Sequence, residues 1–344
     1  MNPAQLPELI FSVTNHCNHA CKMCYYHQTL AETMREMSLG EIERVSRSLG
    51  SIDRLWLSGG EPLLRKDLVE ICKIFHRNNQ LRRIFLPSNG SLPDRMAETV
   101  AALADLTPTV DVSVMFSLEG LQRTHDRIHA RTGAFDSVVA SVRALQRLRL
   151  GRLRARKPVF GVSMNTVVTD ANAAEVPRLM DWVAENLWVD LHTFTPVRGQ
   201  ALDPEHGFID PEIFAALVDD ARPHFRRYLS RNFGQRDDPE VALAALEARY
   251  RTWEKVMRGG ELPLQCAAGE GIGVLEPNGD VRVCELKPVV GNVRAVDHDF
   301  GAVWEAKPAL DVKATVPGCA CTHGCFLSAT ERQKALRSTL HDST

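Results

Sequence analysis

The sequence predicts an α/β fold in which a parallel sheet, covered by helices, curves into a partial (β/α)6 barrel of the TIM type. Between Leu9 and about Thr195, six apolar segments with the character of strands alternate with segments of helical periodicity. Several helical segments also carry start signals, such as Ser38 placed three residues ahead of Glu41 in capping-box spacing. In barrels of this kind, the active-site residues lie at the C-terminal ends of the strands.

The predicted strands and helices follow each other in regular order. The strands are Leu9–Thr14, Arg54–Ser58, Arg83–Ser88, Val110–Ser117, Val159–Thr166 and Val189–Thr195. The helices lie near Ser38–Leu49, Asp67–Arg77, Pro93–Leu103, Phe135–Leu148 and Ala173–Leu187. Together they predict a barrel domain over residues 1–199.

The remainder of the chain predicts a helical connection and a small C-terminal module. Residues 200–262 are polar and helix-prone, and we expect two helices there that pack through an apolar stripe: Val241, Leu243, Leu246, Tyr250 and Trp253. Residues 263–330 contain two short apolar runs, Ile272–Leu275 and Val281–Cys284, around the turn Pro277–Asp280, which predicts a hairpin. Residues 331–344 are expected to form a C-terminal tail.

Composition narrows the class of protein. Of 344 residues, 44% are hydrophobic and 24% are charged, which is ordinary for a globular protein. The net charge of −2 favours neither nucleic acid nor an acidic membrane, and no apolar run approaches the ~18–20 residues of a membrane span. The N-terminus shows no secretory signal, so a cytoplasmic location is expected. Nine cysteines in that reducing compartment favour metal or redox chemistry, except for Cys72, which stands alone on an apolar helix face.

Three of the cysteines stand within eight residues, just after the first predicted strand. Cys17, Cys21 and Cys24 have the spacing C-x3-C-x2-C, and Tyr25 follows the last thiol. Three thiolates can hold three corners of a cubane iron–sulfur cluster, which leaves one iron open to a substrate or cofactor. A zinc site that includes His27, or a set of loop thiols, is the alternative.

This triplet resembles the signature of the radical S-adenosylmethionine (SAM) enzymes. The resemblance implies a [4Fe–4S] cluster whose open iron chelates the amino and carboxylate groups of SAM. It further implies that one electron, supplied by a donor such as flavodoxin or ferredoxin, splits SAM to give a 5′-deoxyadenosyl radical. Tyr25 matches the aromatic residue that lies near adenine in the family, with a core aromatic as the alternative.

Motifs at the next two strand ends resemble the same family. The segment Ser58–Pro62 reads Ser-Gly-Gly-Glu-Pro and is similar to the GGEP motif that contacts the SAM amino group. Glycine lets backbone approach a ligand closely, and a carboxylate can accept from an ammonium group. The segment Ser88–Gly90 resembles the family's Thr-Asn-Gly turn, with Ser in place of Thr. The cofactor-binding residues implied here are Gly59, Gly60, Glu61, Ser88 and Asn89.

Further matches follow the fourth and fifth strands. The segment Ser117–Gly120 resembles Ser-Leu-Asp-Gly, and Arg131 opens a segment similar to Arg-x-Gly-x-Phe. The resemblance implies that Ser117 and Arg131 contact the SAM ribose or carboxylate; a helix cap and a surface salt bridge are their respective alternatives. Asn165 matches a polar position at the end of strand five. Three side chains are candidates for substrate contact or for structural hydrogen bonds: His125, Asp126 and His192.

The other five cysteines lie between residues 266 and 325. Cys266 and Cys284 surround Gly279 in the pattern C-x12-G-x4-C, which resembles the opening of the SPASM/twitch extension of radical SAM enzymes. This implies a hairpin-plus-helix module with one auxiliary [4Fe–4S] cluster, since five cysteines can fully ligate one cluster but not two. The remaining ligands are implied to be two of Cys319, Cys321 and Cys325, and Cys325 is the safest by spacing. A ligand role for His323, and zinc in place of the cluster, are the alternatives.

A fully ligated auxiliary cluster suits electron transfer, so the resemblance implies a radical SAM oxidoreductase. The first strand begins at about residue 9, and no peptide-recognition domain is expected ahead of it. The expected substrate is therefore a small molecule such as a sugar, aminocyclitol or polyol. A peptide maturase that forms thioether or carbon–carbon crosslinks, an epimerase, and a non-catalytic iron–sulfur or zinc scaffold are the alternatives.

Overall fold

The computed structural model describes residues 6–106, 109–231, 238–262 and 265–341; the parts of the predicted domains at residues 1–5, 107–108, 232–237, 263–264 and 342–344 lie outside the described residues. The strands are β1 (Glu8–Thr14), β2 (Arg54–Gly59), β3 (Arg83–Ser88), β4 (Asp111–Ser117), β5 (Gly161–Val168), β6 (Leu191–Pro196), β7 (Ile272–Leu275), β8 (Asp280–Arg282) and β9 (Val289–Asn292). The helices are α1 (His27–Leu30), α2 (Leu39–Ser48), α3 (Leu68–Asn79), α4 (Pro93–Ala104), α5 (Gln122–Ile128), α6 (Ala134–Arg154), α7 (Val176–Asn186), α8 (Pro211–Arg231), α9 (Pro239–Met257), α10 (Phe300–Trp304), α11 (Lys307–Lys313) and α12 (Gly324–His341).

The predicted fold class, α/β with a parallel sheet, is confirmed. The six predicted strands are present, and α6 continues beyond its predicted end at Leu148 to Arg154. The hairpin is present as β7 and β8, although β8 ends at Arg282, ahead of Cys284. Within the part of the chain that the structure describes, no helix combines the length and the apolar character that crossing a bilayer requires.

The chain divides into two compact units, of which the first contains the residues up to His16, Glu32–Phe85 and the residues from Glu261 onward. In this unit β1 is buried along its whole length and pairs in parallel with β2 on one side and β7 on the other. Strands β7, β8 and β9 continue as an antiparallel meander. Helix α2 begins at a complete capping box between Ser38 and Glu41, as its sequence predicts.

The second unit contains Cys17–Ala31 and Leu86–Gly260. Here β4, β5 and β6 pair in parallel. Along each of these strands, buried side chains alternate with half-buried or, at the first residue of β4, exposed ones, because successive side chains of a strand point to opposite faces. The half-buried face carries polar residues toward the C-terminal ends of the strands, and these residues belong to the candidate site.

The predicted stripe of α9 is buried in part. Leu243, Tyr250 and Trp253 are buried, and the Tyr250 hydroxyl donates to the carbonyl oxygen of Phe194 at 3.0 Å and accepts from its amide at 3.1 Å. Val241, in contrast, is 64% exposed, so its expected place in the stripe is wrong. The reason is geometric: Val241 and Leu243 are two positions apart, which is about 200° around a helix of 3.6 residues per turn.

Candidate functional site

The loop after β1 carries Cys17, Cys21 and Cys24, and all three thiols are half-buried. The Cys24 amide donates to the carbonyl oxygen of Cys21 at 3.0 Å, which folds the end of the loop into a tight turn. Burial raises the pKa of the Cys21 thiol, and the charges of Glu119, Cys17 and Cys24 add to the rise. Three neighbouring sulfur atoms on one short loop are a donor set that fits a cubane iron–sulfur cluster.

The turn after β3 lies beside the first of these thiols. The Asn89 side-chain nitrogen donates to Asn18 Oδ1 at 2.9 Å and lies 4.0 Å from Cys17 Sγ. Ser88 Oγ accepts from the amide of Gly90 at 3.0 Å, so this side chain also closes its own turn. The structure therefore brings two predicted cofactor-binding residues to the cysteine loop.

Two cationic side chains contact the same loop. Arg131 is exposed, and its guanidinium donates to the carbonyl oxygen of Asn18 at 3.2 Å. The guanidinium of Arg198 lies 4.6 Å from the ring centre of Tyr25. Burial raises the pKa of Cys24, and the nearby charge of Arg198 opposes that rise. Arg198 was not predicted from the sequence, although its position just after β6 matches the rule that strand ends carry function.

The ends of β4, β5 and β6 carry a row of polar side chains. Ser117 is the register neighbour of Asn165, which in turn is the register neighbour of Thr193, and all three are half-buried. The Asn165 amide donates to Thr195 Oγ1 at 3.2 Å, and the Thr193 hydroxyl donates to Asn165 Oδ1 at 3.2 Å. The row combines hydroxyl and amide groups, which can both donate to and accept from a polar ligand.

A buried polar cluster that the sequence did not predict lies against Cys21. Its members, each less than a tenth exposed, are Glu119, His125, His129 and His19. The Glu119 carboxylate contacts His129 Nε2 and lies 3.4 Å from His125 Nδ1. His129 Nδ1 lies 2.8 Å from His19 Nδ1 and 3.4 Å from Cys21 Sγ. Burial acts to raise the pKa of Glu119, but His129 and His125 hold it at about 2, so the carboxyl group is ionised.

The three side chains considered for substrate contact all make structural hydrogen bonds. His125 Nδ1 accepts from the backbone amide of Glu119 at 3.1 Å. The Asp126 carboxylate accepts from two backbone amides at the start of α6, at 2.7 and 2.9 Å. His192 is fully buried with Nε2 3.0 Å from Thr166 Oγ1, and burial lowers its pKa to about 3, which keeps the ring neutral.

In the first unit, Gly59, Gly60 and Glu61 form the turn at the end of β2. Gly59 has φ +112°, and a Cβ there would come within 2.2 Å of the Thr14 carbonyl oxygen, so no larger residue fits. The Gly60 amide donates to that same oxygen at 2.9 Å. The Glu61 side chain is buried, and its Oε1 accepts from the Leu63 amide at 3.1 Å. The turn is therefore rigid and holds one carboxylate in a defined orientation.

The C-terminal cysteines also belong to the first unit. Cys266 and Cys284 are buried, whereas Cys319, Cys321 and Cys325 are half-buried. Burial raises the pKa of Cys266 to about 11, and Cys321 and Cys319 add to the rise. Burial likewise raises the pKa of Cys284, with contributions from Cys321 and Cys266. The charges of Cys319 and Cys321 thus act on the two buried thiols, and Cys325 lies in the first turn of α12.

Hydrogen bonds tie the segments that carry these cysteines to each other. His323 is fully buried, and its Nε2 contacts the carboxylate of Glu285, so this nitrogen already has an acidic partner. The hydroxyl of Thr330, on α12, accepts from the amide of Ala267 at 2.8 Å. These bonds connect α12 both to the segment after β8 and to the segment that leads into β7. The segments that carry Cys266, Cys284 and Cys325 are therefore connected by hydrogen bonds.

Comparison with known proteins gives a family match, two relatives and one similar structure. The family profile described as "Radical SAM superfamily" matches residues 11–183. GTP 3',8-cyclase 1 of Pseudomonas aeruginosa is 33% identical over 226 residues, which are 62% of this chain and 62% of that protein. Pre-heme d1 synthase of Dinoroseobacter shibae is 28% identical over 373 residues, covering 97% of this chain and 83% of that protein. The solved structure of native anSMEcpe with bound AdoMet and Cp18Cys peptide has a similar fold, with TM-score 0.60 and 17% identity over 90% of this chain and 82% of that one.

Proposed function

This chain belongs to the radical SAM superfamily, whose profile covers about half of its length, and from that premise we propose that it oxidises a small molecule. Enzymes of this family use SAM and a [4Fe–4S] cluster. We assign the cluster to the thiols of Cys17, Cys21 and Cys24, and their placement on one short loop, half-buried and closed by the turn between Cys21 and Cys24, is the observation that carries the proposal. The cluster and SAM, when bound, supply a 5′-deoxyadenosyl radical that takes a hydrogen atom from the substrate.

We assign SAM binding to the polar and glycine residues at the strand ends: Tyr25, Gly59, Gly60, Glu61, Ser88, Asn89, Ser117, Arg131 and Asn165. Their chemistry suits the parts of SAM. The carboxylate of Glu61 would accept from the amino group, and the exposed guanidinium of Arg131 would bind the carboxylate. The hydroxyl of Ser117 and the amide of Asn165 would hydrogen-bond the ribose.

Replacing Glu61 with Gln tests this assignment. The substitution keeps the shape of the buried side chain and removes its charge. A hydrogen bond to a charged group contributes about 1.5–3 kcal/mol, so the Kd for SAM is expected to rise by roughly 10- to 150-fold. SAM binding is measured by equilibrium dialysis on anaerobically reconstituted protein. Glu41→Gln, which removes another buried carboxylate of the same unit, is the control and should leave the Kd unchanged. An unchanged Kd in a folded, iron-loaded Glu61→Gln protein would exclude Glu61 from the SAM site.

We further propose an auxiliary [4Fe–4S] cluster on Cys266, Cys284 and two of the three thiols that follow. The influence of Cys321 on both of the first two thiols, and of Cys319 on Cys266, supports Cys321 and Cys319 as the remaining ligands, and the spacing supports Cys325. After the hydrogen atom has left the substrate, oxidation requires the loss of one more electron and a proton. The auxiliary cluster would supply the acceptor for that electron.

The proposed substrate is a polar small molecule such as a sugar, aminocyclitol or polyol, and the proposed location is cytoplasmic with a flavodoxin or ferredoxin as electron donor. Thr193 and Thr195, which neighbour the residues assigned to SAM, support this class, because hydroxyl groups can hydrogen-bond a hydroxylated ligand. The names of the cyclase and of the pre-heme d1 synthase also describe reactions on small molecules. The chain spans less than two thirds of the cyclase's length, so its substrate is inferred from the site.

The experiment that tests this function compares two fractions of a cell extract, one of small molecules and one of peptides. Reconstituted protein is incubated with SAM and dithionite, and 5′-deoxyadenosine is measured with and without each fraction. The proposal would be supported if the small-molecule fraction increases the yield of 5′-deoxyadenosine and if one of its compounds is converted to a product with two fewer hydrogen atoms. A rise with the peptide fraction alone would replace it with a peptide maturase. No 5′-deoxyadenosine under any condition would favour the non-catalytic scaffold.

A further inference from the structure

The second half of α6 and the turn that follows it carry a local excess of positive charge. Residues 143–157 contain seven basic residues and no acidic one, although the whole chain has a net charge of −2. Two of the seven form ion pairs with neighbouring carboxylates, Arg149 at 2.7 Å and Arg152 at 2.8 Å. The other five are exposed to solvent: Arg143, Arg147, Arg154, Arg156 and Lys157.

These five charges lack the acidic partners that exposed arginines have elsewhere in the second unit. On α8 and α9, the guanidinium groups of Arg222, Arg226 and Arg251 lie 2.8, 3.3 and 3.7 Å from glutamate carboxylates. For the five exposed basic residues of the segment 143–157, no carboxylate among the described residues comes within 4 Å of the charged group. The segment therefore presents uncompensated positive charge to whatever approaches it.

Apolar side chains lie between these charges. Arg143, Arg147, Leu150 and Arg154 follow one another at intervals of four, three and four residues, which places them within about 60° around the helix axis. Leu150 is 43% exposed, and Leu153, one turn before the end of the segment, is 49% exposed. A face that mixes arginine with exposed leucine matches a partner that offers negative charge and apolar material together.

Two further apolar side chains are exposed at the same end of the strands. Val159 and Trp188 stand just ahead of β5 and β6, so both lie at the N-terminal ends of this parallel pair. The guanidinium of Arg149 lies 5.1 Å from the ring centre of Trp188, which connects that ring to α6. Asn165, which we assign to SAM, lies in the second half of β5. A partner bound at the N-terminal ends leaves the proposed SAM site uncovered.

We propose that the basic face, formed by the exposed side chains of residues 143–157, binds the surface of an anionic lipid bilayer. The basic groups lie among the negatively charged headgroups, and Leu150 and Leu153, with Trp188 beside them, enter the boundary between headgroups and acyl chains. RNA also offers phosphates, but contacts to phosphate and base edges are made largely by hydrogen-bond donors, which leucine lacks. The inference goes beyond the proposed function, because the face contains none of the residues assigned to a cluster or to SAM.

The test is sedimentation of the full-length, reconstituted protein with lipid vesicles at about 0.1 M salt. The vesicles contain either equal parts of phosphatidylglycerol and phosphatidylcholine or phosphatidylcholine alone. The unaltered protein is expected to sediment with the anionic vesicles only, and about 1 M salt should release it because exposed charges are then screened. In the variant Arg143→Gln/Arg147→Gln/Arg154→Gln, the affinity for anionic vesicles is expected to fall about 100-fold, since each basic residue near such a surface strengthens binding roughly fivefold.

A matched variant removes the same number of charges from another surface. Arg222→Gln/Arg226→Gln/Arg251→Gln lowers the net charge equally, and its exposed side chains belong to α8 and α9, so the affinity should stay unchanged. Leu150→Gln/Leu153→Gln keeps the charge and should weaken binding about tenfold, because it removes the apolar contacts. Iron content and SAM cleavage should be normal in all three variants, so the result is separate from the proposed function.

Three results would overturn the inference. The first is that the unaltered protein does not bind anionic vesicles. The second is an equal loss of affinity in the two arginine variants, which would make the binding an effect of net charge alone. The third is that RNA displaces the protein from the vesicles and binds it more tightly, with the same dependence on Arg143, Arg147 and Arg154, which would assign the face to nucleic acid.

Discussion

Replacing Cys17, Cys21 or Cys24 singly with Ala is expected to reduce SAM cleavage to the level of iron-free protein. A cubane cluster with an open iron is held by three thiolates, and removing one leaves two corners. The loop contains no cysteine besides these three, so no other thiol of that loop can replace the missing one. The measurement is 5′-deoxyadenosine formed from SAM under dithionite, by liquid chromatography, on anaerobically reconstituted protein.

Cys72→Ala provides the matched control for these variants. Cys72 is fully buried in α3, and burial alone raises its pKa to about 12, so it stays a neutral thiol. Its replacement should leave SAM cleavage intact. If one of the three loop variants retains cleavage, its missing cysteine is not a cluster ligand, and the proposed mechanism is wrong.

Replacing Cys266 or Cys284 with Ala is expected to lower the iron content by about four per chain, from about eight, because one cubane contains four irons. Both side chains are buried, and each lies close enough to Cys321 for the charge of one thiol to affect the pKa of the other. Iron and acid-labile sulfide are measured on the same reconstituted samples. SAM cleavage serves as an internal reference, since the loop after β1 is unchanged in these variants.

The variants of the C-terminal thiols also distinguish the alternatives for this module. Cys321→Ala should resemble Cys266→Ala, and comparison of Cys319→Ala with Cys325→Ala would identify the fourth ligand. Iron that stays near eight in Cys266→Ala and Cys284→Ala would exclude these residues as ligands. About four irons with one zinc in the unaltered protein would replace the auxiliary cluster with a zinc site.

The sequence predicted the main strands well and the short elements poorly. Strands β1 to β6 lie within two residues of their predicted ends. In contrast, β9, only four residues long, was not predicted, and neither was α5. Gly291 in β9 faces Val303, and a Cβ there would lie 2.8 Å from that side chain. Such a segment has too few residues to show a period, and its conformation depends on partners elsewhere in the chain.

The candidate site likewise contains features that the sequence could predict and features that it could not. The cysteine triplet and the strand-end motifs could be identified because their residues are close together in sequence, and the match of residues 11–183 confirms the radical SAM resemblance. The three side chains that had been considered for substrate contact proved to make structural hydrogen bonds, which local sequence cannot distinguish from ligand contacts. Arg198 lay outside every motif, yet it covers the ring of Tyr25.

The sequence by itself determined the fold class, the family and the two groups of thiols, because the periods of apolar residues and the spacings of cysteines are properties of neighbouring residues. Only the tertiary structure decided that His129 reaches the sulfur of Cys21, which is 108 residues earlier in the chain. Likewise, only the tertiary structure allows the charge of Cys321 to raise the pKa of Cys266. Contacts of this kind arise when distant segments pack against each other, and their hydrogen bonds depend on burial and orientation that no local pattern encodes.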